Sequence, residues 1–294
     1  MSLGRVLTAM VTPFDAAGQV DHARAAELAL KLVAEGSDGL VVSGTTGESP
    51  TLTKDEKIAL FGTIKRAVGN RASVVAGTGS YATAETISLT QAAEAAGVDG
   101  ILVISPYYNK PNQAGLKAHF SAVAAATSLP VILYNHPGRT GVTIEAPLMA
   151  ELAKVPNIIA VKDSSGSLDL VTAFRLKCPS DFLIYSGDDP LTLQYLATGG
   201  YGVISVTSHV AGLEVKAMIE AWLRGDHAEA LRLHLATYEL SKALFCAPSP
   251  APTKAALAKL GFPVGGVRLP LVEMTTAELE PLYRVLDARS PVNA

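Results

Sequence analysis

Cysteine is nearly absent from this chain: its 294 residues include only Cys178 and Cys246. They stand far apart, so no disulfide framework is implied and a reducing cytosol fits. Charge is scarce too, with 17% of residues charged and a net charge of −3. No basic block interrupts the chain, which argues against nucleic-acid or membrane-surface partners. No apolar run reaches the roughly 18 residues of a membrane span. The N-terminus shows no basic stretch followed by a signal-like apolar segment; Leu7 to Phe14 is too short and leads straight into the fold. The six histidines, His22, His119, His136, His209, His227 and His234, have no metal-ligand spacing. Neither a metal nor a cofactor is expected.

What the chain has is apolar residues, 49% of the total, enough for one large core or two domains. They are gathered in short runs: Val6–Val11, Gly39–Ser43, Ser73–Gly77, Gly100–Ile104, Pro130–Tyr134, Ile158–Lys162, Phe182–Tyr185 and Tyr201–Val206. Each run is continuous rather than alternating, as in parallel strands covered on both faces. Amphipathic stretches lie between them, among them His22–Ala34, Lys54–Val68, Ala84–Ala96 and Ala114–Ala126. Helix starts are signalled by Asp21, by Thr53 with Glu56 as a capping box, by Thr83, and by Asp189 before Pro190. Gly36, Gly69 and Gly97 follow helices, where a left-handed cap is wanted.

This alternation predicts an α/β fold, a (β/α)8 TIM barrel. The runner-up is a doubly wound open sheet. Gly77-x-Gly79-x-x-Ala82 superficially matches a dinucleotide fingerprint, but it follows the third strand, and a tight βα loop explains it better. After about residue 210 only helical patterns remain: Gly212–Leu223, His227–Phe245, Thr253–Leu260 and Thr276–Leu286. The expected division is a catalytic barrel over 1–224 and a small C-terminal helical appendage over 225–294.

In such barrels chemistry sits where the strands end. Lys162 ends the run Ile158–Lys162, which has no other charge. A lysine at the end of a buried strand either reaches solvent, pairs with Asp163, or serves as a nucleophile. Burial disfavours the ammonium, and a neutral amine can form a Schiff base with a carbonyl compound. The other strand ends carry compatible groups. Glycines flank Thr45 and Thr46, so backbone amides and hydroxyls there suit a carboxylate. Tyr134 closes its strand with a phenol that can hydrogen-bond an imine or pass a proton. Arg139, in a Pro-Gly-Arg-Thr-Gly turn, can aim its guanidinium fork at a second carboxylate. Asp188 and Asp189 occupy the loop where barrels usually bind phosphate, which implies an unphosphorylated substrate. Together these residues suggest imine formation with a keto acid.

Five motifs carry a resemblance over nearly the whole chain: GTTGESPTLT (44–53), PYYNKPNQ (106–113), YNHPGRTGV (134–142), VKDSSG (161–166) and SGDD (186–189). The chain resembles the 4-hydroxy-tetrahydrodipicolinate synthase (dihydrodipicolinate synthase) family of pyruvate-dependent class I aldolases. The resemblance implies a Schiff base between Lys162 and pyruvate. It implies a proton relay of Tyr134, Thr45 and Tyr108, with Tyr108 reaching in from a neighbouring subunit. Thr46 would hold the pyruvate carboxylate, with Ile204 and Gly187 at the same pocket. Arg139 would hold the carboxylate of L-aspartate 4-semialdehyde. The implied reaction is the first committed step of lysine and diaminopimelate biosynthesis, in a cytoplasmic homotetramer built as a dimer of dimers. Keto-deoxy sugar aldolases and N-acetylneuraminate lyase share the lysine and tyrosine, but do not typically place an arginine after strand five.

Two departures stand out. Members inhibited by lysine commonly carry histidines where Lys54 and Lys57 stand and an asparagine where Tyr81 stands; Glu85 and Tyr107 remain. Two cations beside a site for cationic lysine are unfavourable, so weak lysine feedback is expected. His136 replaces a usual small apolar residue, and no role is assigned to it.

Overall fold

The computed structural model describes residues 3–289. Eight parallel strands close on themselves in sequence order. They are β1 (Val6–Ala9), β2 (Gly39–Val42), β3 (Ser73–Gly77), β4 (Gly100–Ile104), β5 (Val131–Asn135), β6 (Ile158–Asp163), β7 (Leu183–Ser186) and β8 (Gly202–Ser205). The ring shuts where β1 pairs with β8, Leu7 opposite Ile204. This is the expected (β/α)8 barrel, and every strand falls on one of the expected apolar runs.

Both faces of the strands are covered, which is why the runs are continuous. Leu7, Val41, Val75, Leu102, Ile132 and Ile204 pack in the barrel interior. Their neighbours along the chain, such as Leu40, Val42, Val74 and Ala76, pack outward under the helices. A fully buried leucine or isoleucine contributes about 1.5–3 kcal/mol, so neither face tolerates a charge without a partner or a function.

The outer helices are α1 (His22–Ala34), α2 (Lys54–Val68), α3 (Thr83–Ala95), α4 (Gln113–Ala125), α5 (Pro137–Thr140), α6 (Ala146–Leu152), α7 (Leu168–Lys177), α8 (Thr192–Ala197) and α9 (Ser208–Leu223). Three more follow: α10 (His227–Ala243), α11 (Ala251–Lys259) and α12 (Thr276–Ala288). Asp21 caps α1 by accepting from the Arg24 amide, and Thr53 and Glu56 form the reciprocal capping box of α2. Gly36, Gly69 and Gly97 all have positive φ, though Gly69, with ψ at −123°, lies outside the left-handed helical region.

Two expected caps are not made. Ala82, not Thr83, precedes α3, and the Thr83 hydroxyl is drawn to His119 Nδ1 on α4 at 2.9 Å. Asp189 does not cap the helical turn it opens. Its carboxylate instead accepts from the Val206 and Thr207 amides, at 2.8 and 3.1 Å, and from the Ser205 hydroxyl. Those amides follow β8 and are buried, so leaving them unpaired would cost more than leaving an exposed helix start uncapped. The helix expected from Gly212 begins at Ser208, with a break at Ala211. Among the described residues, no helix is long and apolar enough to cross a membrane.

Candidate active site

A cavity of about 200 Å³ opens at the carboxyl ends of the strands. Its walls include Gly44 and Thr45 after β2, Gly77 and Gly79 after β3, Tyr134 of β5 and Arg139 of α5. The glycines of the apparent dinucleotide motif are explained here by close approach. A Cβ on Gly77 would lie 2.3 Å from the Ser43 carbonyl oxygen, and one on Gly79 would lie 2.5 Å from the Ile104 amide nitrogen. They let the mouth of the barrel draw together.

Lys162 is 7% exposed, so it does not reach solvent freely. Nor does it pair with Asp163. That carboxylate is fully buried and is taken by Asn135 Nδ2 at 2.7 Å, Ser165 Oγ at 2.7 Å and the Tyr195 hydroxyl at 2.6 Å. The Lys162 Nζ has no hydrogen bond or ion pair among the described residues. It lies 4.3 Å from the centroid of the Tyr134 ring. Gly187 gives its stem room, since a Cβ there would be 2.8 Å from Lys162 Cε. A buried ammonium is ordinarily paired. Placing this one beside an aromatic wall and an open cavity leaves it available to a substrate.

The turn after β2 is tightly held. Glu48 N–H donates to the Thr45 carbonyl, Gly47 and Ser49 N–H both donate to the Gly44 carbonyl, and the Thr12 hydroxyl donates to the Gly47 carbonyl at 2.6 Å. The Thr45 and Thr46 amides donate to no acceptor among the described residues. Two free amides and two threonine hydroxyls at one turn suit an anionic group. Thr46 is buried; Thr45 lines the cavity. The turn ends at Glu48, a non-glycine residue held at φ 56°, which costs about 1–3 kcal/mol.

Arg139 lies on the one-turn helix α5, closed by Gly141 in the left-handed region. Its Nε donates to His136 Nε2 at 3.2 Å. Burial first, and then the charges of Arg139 and Lys162, push the His136 imidazole down to about 4. It is therefore neutral near neutral pH and can accept from the guanidinium. Its ring also meets that of Tyr134 edge-on, with centroids 5.7 Å apart. His136 thus joins Arg139 to the wall beside Lys162.

Thr45, Tyr134 and Arg139 line the cavity directly. Lys162 adjoins it through the Tyr134 ring, and Gly187 packs on Lys162. Ile204 sits in the same interior layer as Tyr134. No direct hydrogen bond links Tyr134 to Thr45, so a relay between them would run through substrate or water.

A family model described as the dihydrodipicolinate synthetase family matches residues 2–289. The chain belongs to the dihydrodipicolinate synthetase family. The 4-hydroxy-tetrahydrodipicolinate synthase of Moorella thermoacetica is 56% identical over 286 residues, 97% of this chain and 98% of that one. The crystal structure of a Bacillus anthracis dihydrodipicolinate synthase superposes with a TM-score of 0.97 at 44% identity, covering 99% of both chains. A dihydrodipicolinate synthase structure from Cyanidioschyzon merolae with lysine bound gives 0.96 at 46% identity, covering 97% of this chain and 98% of that chain.

For a synthetase-family chain, the position of Tyr108 is informative. It does not line the cavity, and it is 92% exposed with φ at 71°. Tyr107 lines that cavity instead, packed edge-on against Tyr81. A second cavity adjoins the first through Ser49, Pro50, Gly79 and Tyr107, and is lined by Lys54, Lys57, Tyr81 and Glu85 as well. Lys54 Nζ donates to Ser88 Oγ at 2.6 Å. Burial pulls the Lys57 ammonium below its ordinary range, with Glu85 opposing. Among the described residues, no cluster of His, Cys, Asp or Glu forms a metal site.

Three contributors were not given these roles from the sequence: His136 was noted without a role, Asp163 only as a possible partner of Lys162, and Glu48 not at all. His136 and Asp163 neighbour expected residues in the chain. Glu48 had one signal, an acid inside a glycine-flanked turn.

Proposed function

We propose that this chain condenses pyruvate with L-aspartate 4-semialdehyde to give 4-hydroxy-tetrahydrodipicolinate, the first committed step of lysine and diaminopimelate biosynthesis. The observation that carries this reading is Lys162: buried, with no hydrogen-bond or ion-pair partner among the described residues, against Tyr134 at the cavity wall.

Pyruvate enters with its carboxylate on the free amides of Thr45 and Thr46. The Lys162 amine adds to the pyruvate C2 carbonyl, and loss of water gives an imine. Tyr134 and Thr45 stand where hydroxyls can carry the protons of that dehydration. A proton leaves C3, and the resulting enamine attacks the aldehyde carbon of the second substrate, forming the C–C bond. The aldehyde oxygen takes up a proton and becomes the 4-hydroxyl. The amino group of the second substrate then attacks the imine carbon, closing the ring and returning the Lys162 amine. One water is released overall.

Arg139 supports the assignment of the second substrate, because an exposed guanidinium at the cavity rim matches a carboxylate near an aldehyde. His136 holds its Nε side and leaves its terminal nitrogens for that carboxylate. The exposed Tyr108 supports a shared site, completed by a neighbour in a homotetramer arranged as a dimer of dimers. Cys178 and Cys246 are free thiols, in keeping with a cytoplasmic enzyme.

Borohydride reduction with pyruvate, followed by peptide mass mapping, tests the imine, and a coupled assay with aspartate semialdehyde tests the condensation. Faster turnover with a sugar aldehyde would reassign the second substrate. Unchanged peptide mass at Lys162 would remove the mechanism.

A further inference from the structure

Glu48 is an unexpected residue in its place. Its backbone lies in the left-handed region that glycine would occupy at less strain, and its carboxylate is buried. The carboxylate has specific partners, all from the C-terminal part of the chain. Lys254 of α11 pairs with it at 2.7 Å, with side chains 3% and 1% exposed. The Arg268 amide donates to its other oxygen at 2.9 Å. Lys254 also donates to the Gly266 carbonyl at 2.6 Å. Both cations stack on Phe14, with Lys254 Nζ at 4.2 Å and Arg268 Cζ at 4.5 Å from the ring centroid. The Arg268 guanidinium goes on to the Thr51 carbonyl at 2.9 Å and to Glu56 at 2.6 Å.

These contacts grip the turn after β2 from one side. The opposite end of the same turn carries the free Thr45 and Thr46 amides, and the Glu48 amide is bonded back to the Thr45 carbonyl. A buried ion pair that replaced well-packed apolar residues would be weak evidence for stability. Here it sits on a strained backbone position within hydrogen-bonding reach of an anion-binding turn. We propose that Lys254 and Glu48 are positioning residues for pyruvate: their ion pair fixes the Thr45–Thr46 turn in its carboxylate-binding shape from the C-terminal helices. This rests on the reading that the turn holds the pyruvate carboxylate.

Neither residue lines the substrate cavity, so the effect must pass through the turn. Binding coupled in this way is reciprocal: the ion pair favours bound pyruvate, and bound pyruvate must favour the intact ion pair.

The test uses the full-length assembled protein. Lys254→Met leaves the Glu48 carboxylate buried without its cation; adding Glu48→Gln removes the carboxylate. Borohydride trapping is measured against pyruvate concentration for the wild type, the single variant and the double variant, with thermal midpoints alongside. In the double variant the midpoint is expected to recover while the half-saturating pyruvate stays raised by about tenfold, an ordinary size for coupling between linked sites. The KM for semialdehyde should hold. Recovery of both midpoint and pyruvate affinity overturns the proposal, because the pair would then only staple the C-terminal helices to the barrel. So does a fall of kcat and both affinities together. Should the variants not fold, wild-type hydrogen exchange decides. Saturating pyruvate is expected to slow exchange in peptides containing Lys254 and Arg268; slowing confined to the Lys162 and Thr45 peptides overturns the proposal. Wild-type protein that traps no pyruvate at all overturns the functional reading and this inference with it, whereas normal wild-type trapping with an unaltered double variant overturns this inference alone.

Discussion

Lys162 and Tyr134 are register partners on adjacent strands, and the lysine Nζ stands 4.3 Å from the centre of the tyrosine ring. The ring shields the amine from bulk water, while the Tyr134 hydroxyl keeps no partner of its own among the described residues. These are separable contributions. Tyr134→Phe retains the ring and loses the hydroxyl. It should lower kcat by roughly 100-fold, the scale of a lost proton-transfer group, while Lys162 still traps pyruvate under borohydride. Lys162→Ala should abolish trapping. Wild-type kcat in the phenylalanine variant would remove Tyr134 from the proton path.

His136 accepts from Arg139 only while neutral, and its value of about 4 keeps it so over the working range. His136→Ala should raise the KM for semialdehyde several-fold, because Arg139 loses an anchor, and should leave pyruvate trapping unchanged. The semialdehyde KM of the wild type should show no inflection near the ordinary histidine value. A wild-type inflection at about pH 6.5 would show that His136 titrates there and is not the neutral acceptor.

Lys54 and Lys57 line the cavity next to the substrate site, with Glu85 the one acid among its lining residues. A further ammonium brought there meets like charge. L-Lysine at millimolar concentration should leave the initial rate essentially unchanged. Half-inhibition in the sub-millimolar range would contradict this electrostatic reading.

Three histidines report on acid stability. Burial pushes His119, His136 and His209 each down to about 4. Unfolded, they would titrate near 6.5, so unfolding takes up protons between about pH 6.5 and about pH 4. Their contribution is complete above the unfolded value and is lost as pH falls through that window. The two most buried, His119 and His209, would each remove about 1.4 kcal/mol per pH unit there. The thermal midpoint should therefore fall steadily below about pH 6.5, and a flat profile down to about pH 5 would count against all three.

Tyr108 is not among the residues lining the cavity and has 92% of its surface exposed. If it serves a neighbour, two inactive variants should repair each other. Subunits carrying Lys162→Ala and subunits carrying Tyr108→Phe, mixed and reassembled, should regain activity in the sites that combine an intact lysine with a donated tyrosine. Mixtures no more active than their parents would place Tyr108 outside the shared site.

The barrel was legible because each strand is a short run of apolar residues and the first two helices carry capping signals that depend on nearby residues alone. Asp21 and the Thr53–Glu56 pair behave as their local sequence requires. Thr83 and Asp189 do not, because His119 and the amides after β8 compete for them from remote parts of the chain. The same limit applies at the site. Lys162 was visible as a charge ending a buried run. Its lack of a partner was not, since that depends on Asn135, Ser165 and Tyr195 occupying Asp163. The bond from Arg139 to His136 spans three residues, yet its meaning depends on burial that only the folded chain shows. The Glu48–Lys254 pair joins residues from opposite ends of the chain and left almost no local trace.

The closure of β1 on β8 has a consequence for how this protein is made. No truncated chain lacking Gly202–Ser205 can complete the ring, since Val6, Leu7 and Thr8 find their second neighbour only there. The strands beside Lys162, β5 and β7, are also its neighbours in the chain, but Gly187 after β7 and Ile204 of β8 follow it, so Lys162 emerges from synthesis before its enclosure is complete. Its low exposure is a property of the finished ring. The yield of pyruvate trapped on Lys162 during refolding would therefore track ring closure itself, turning that amine into a clock for the last strand.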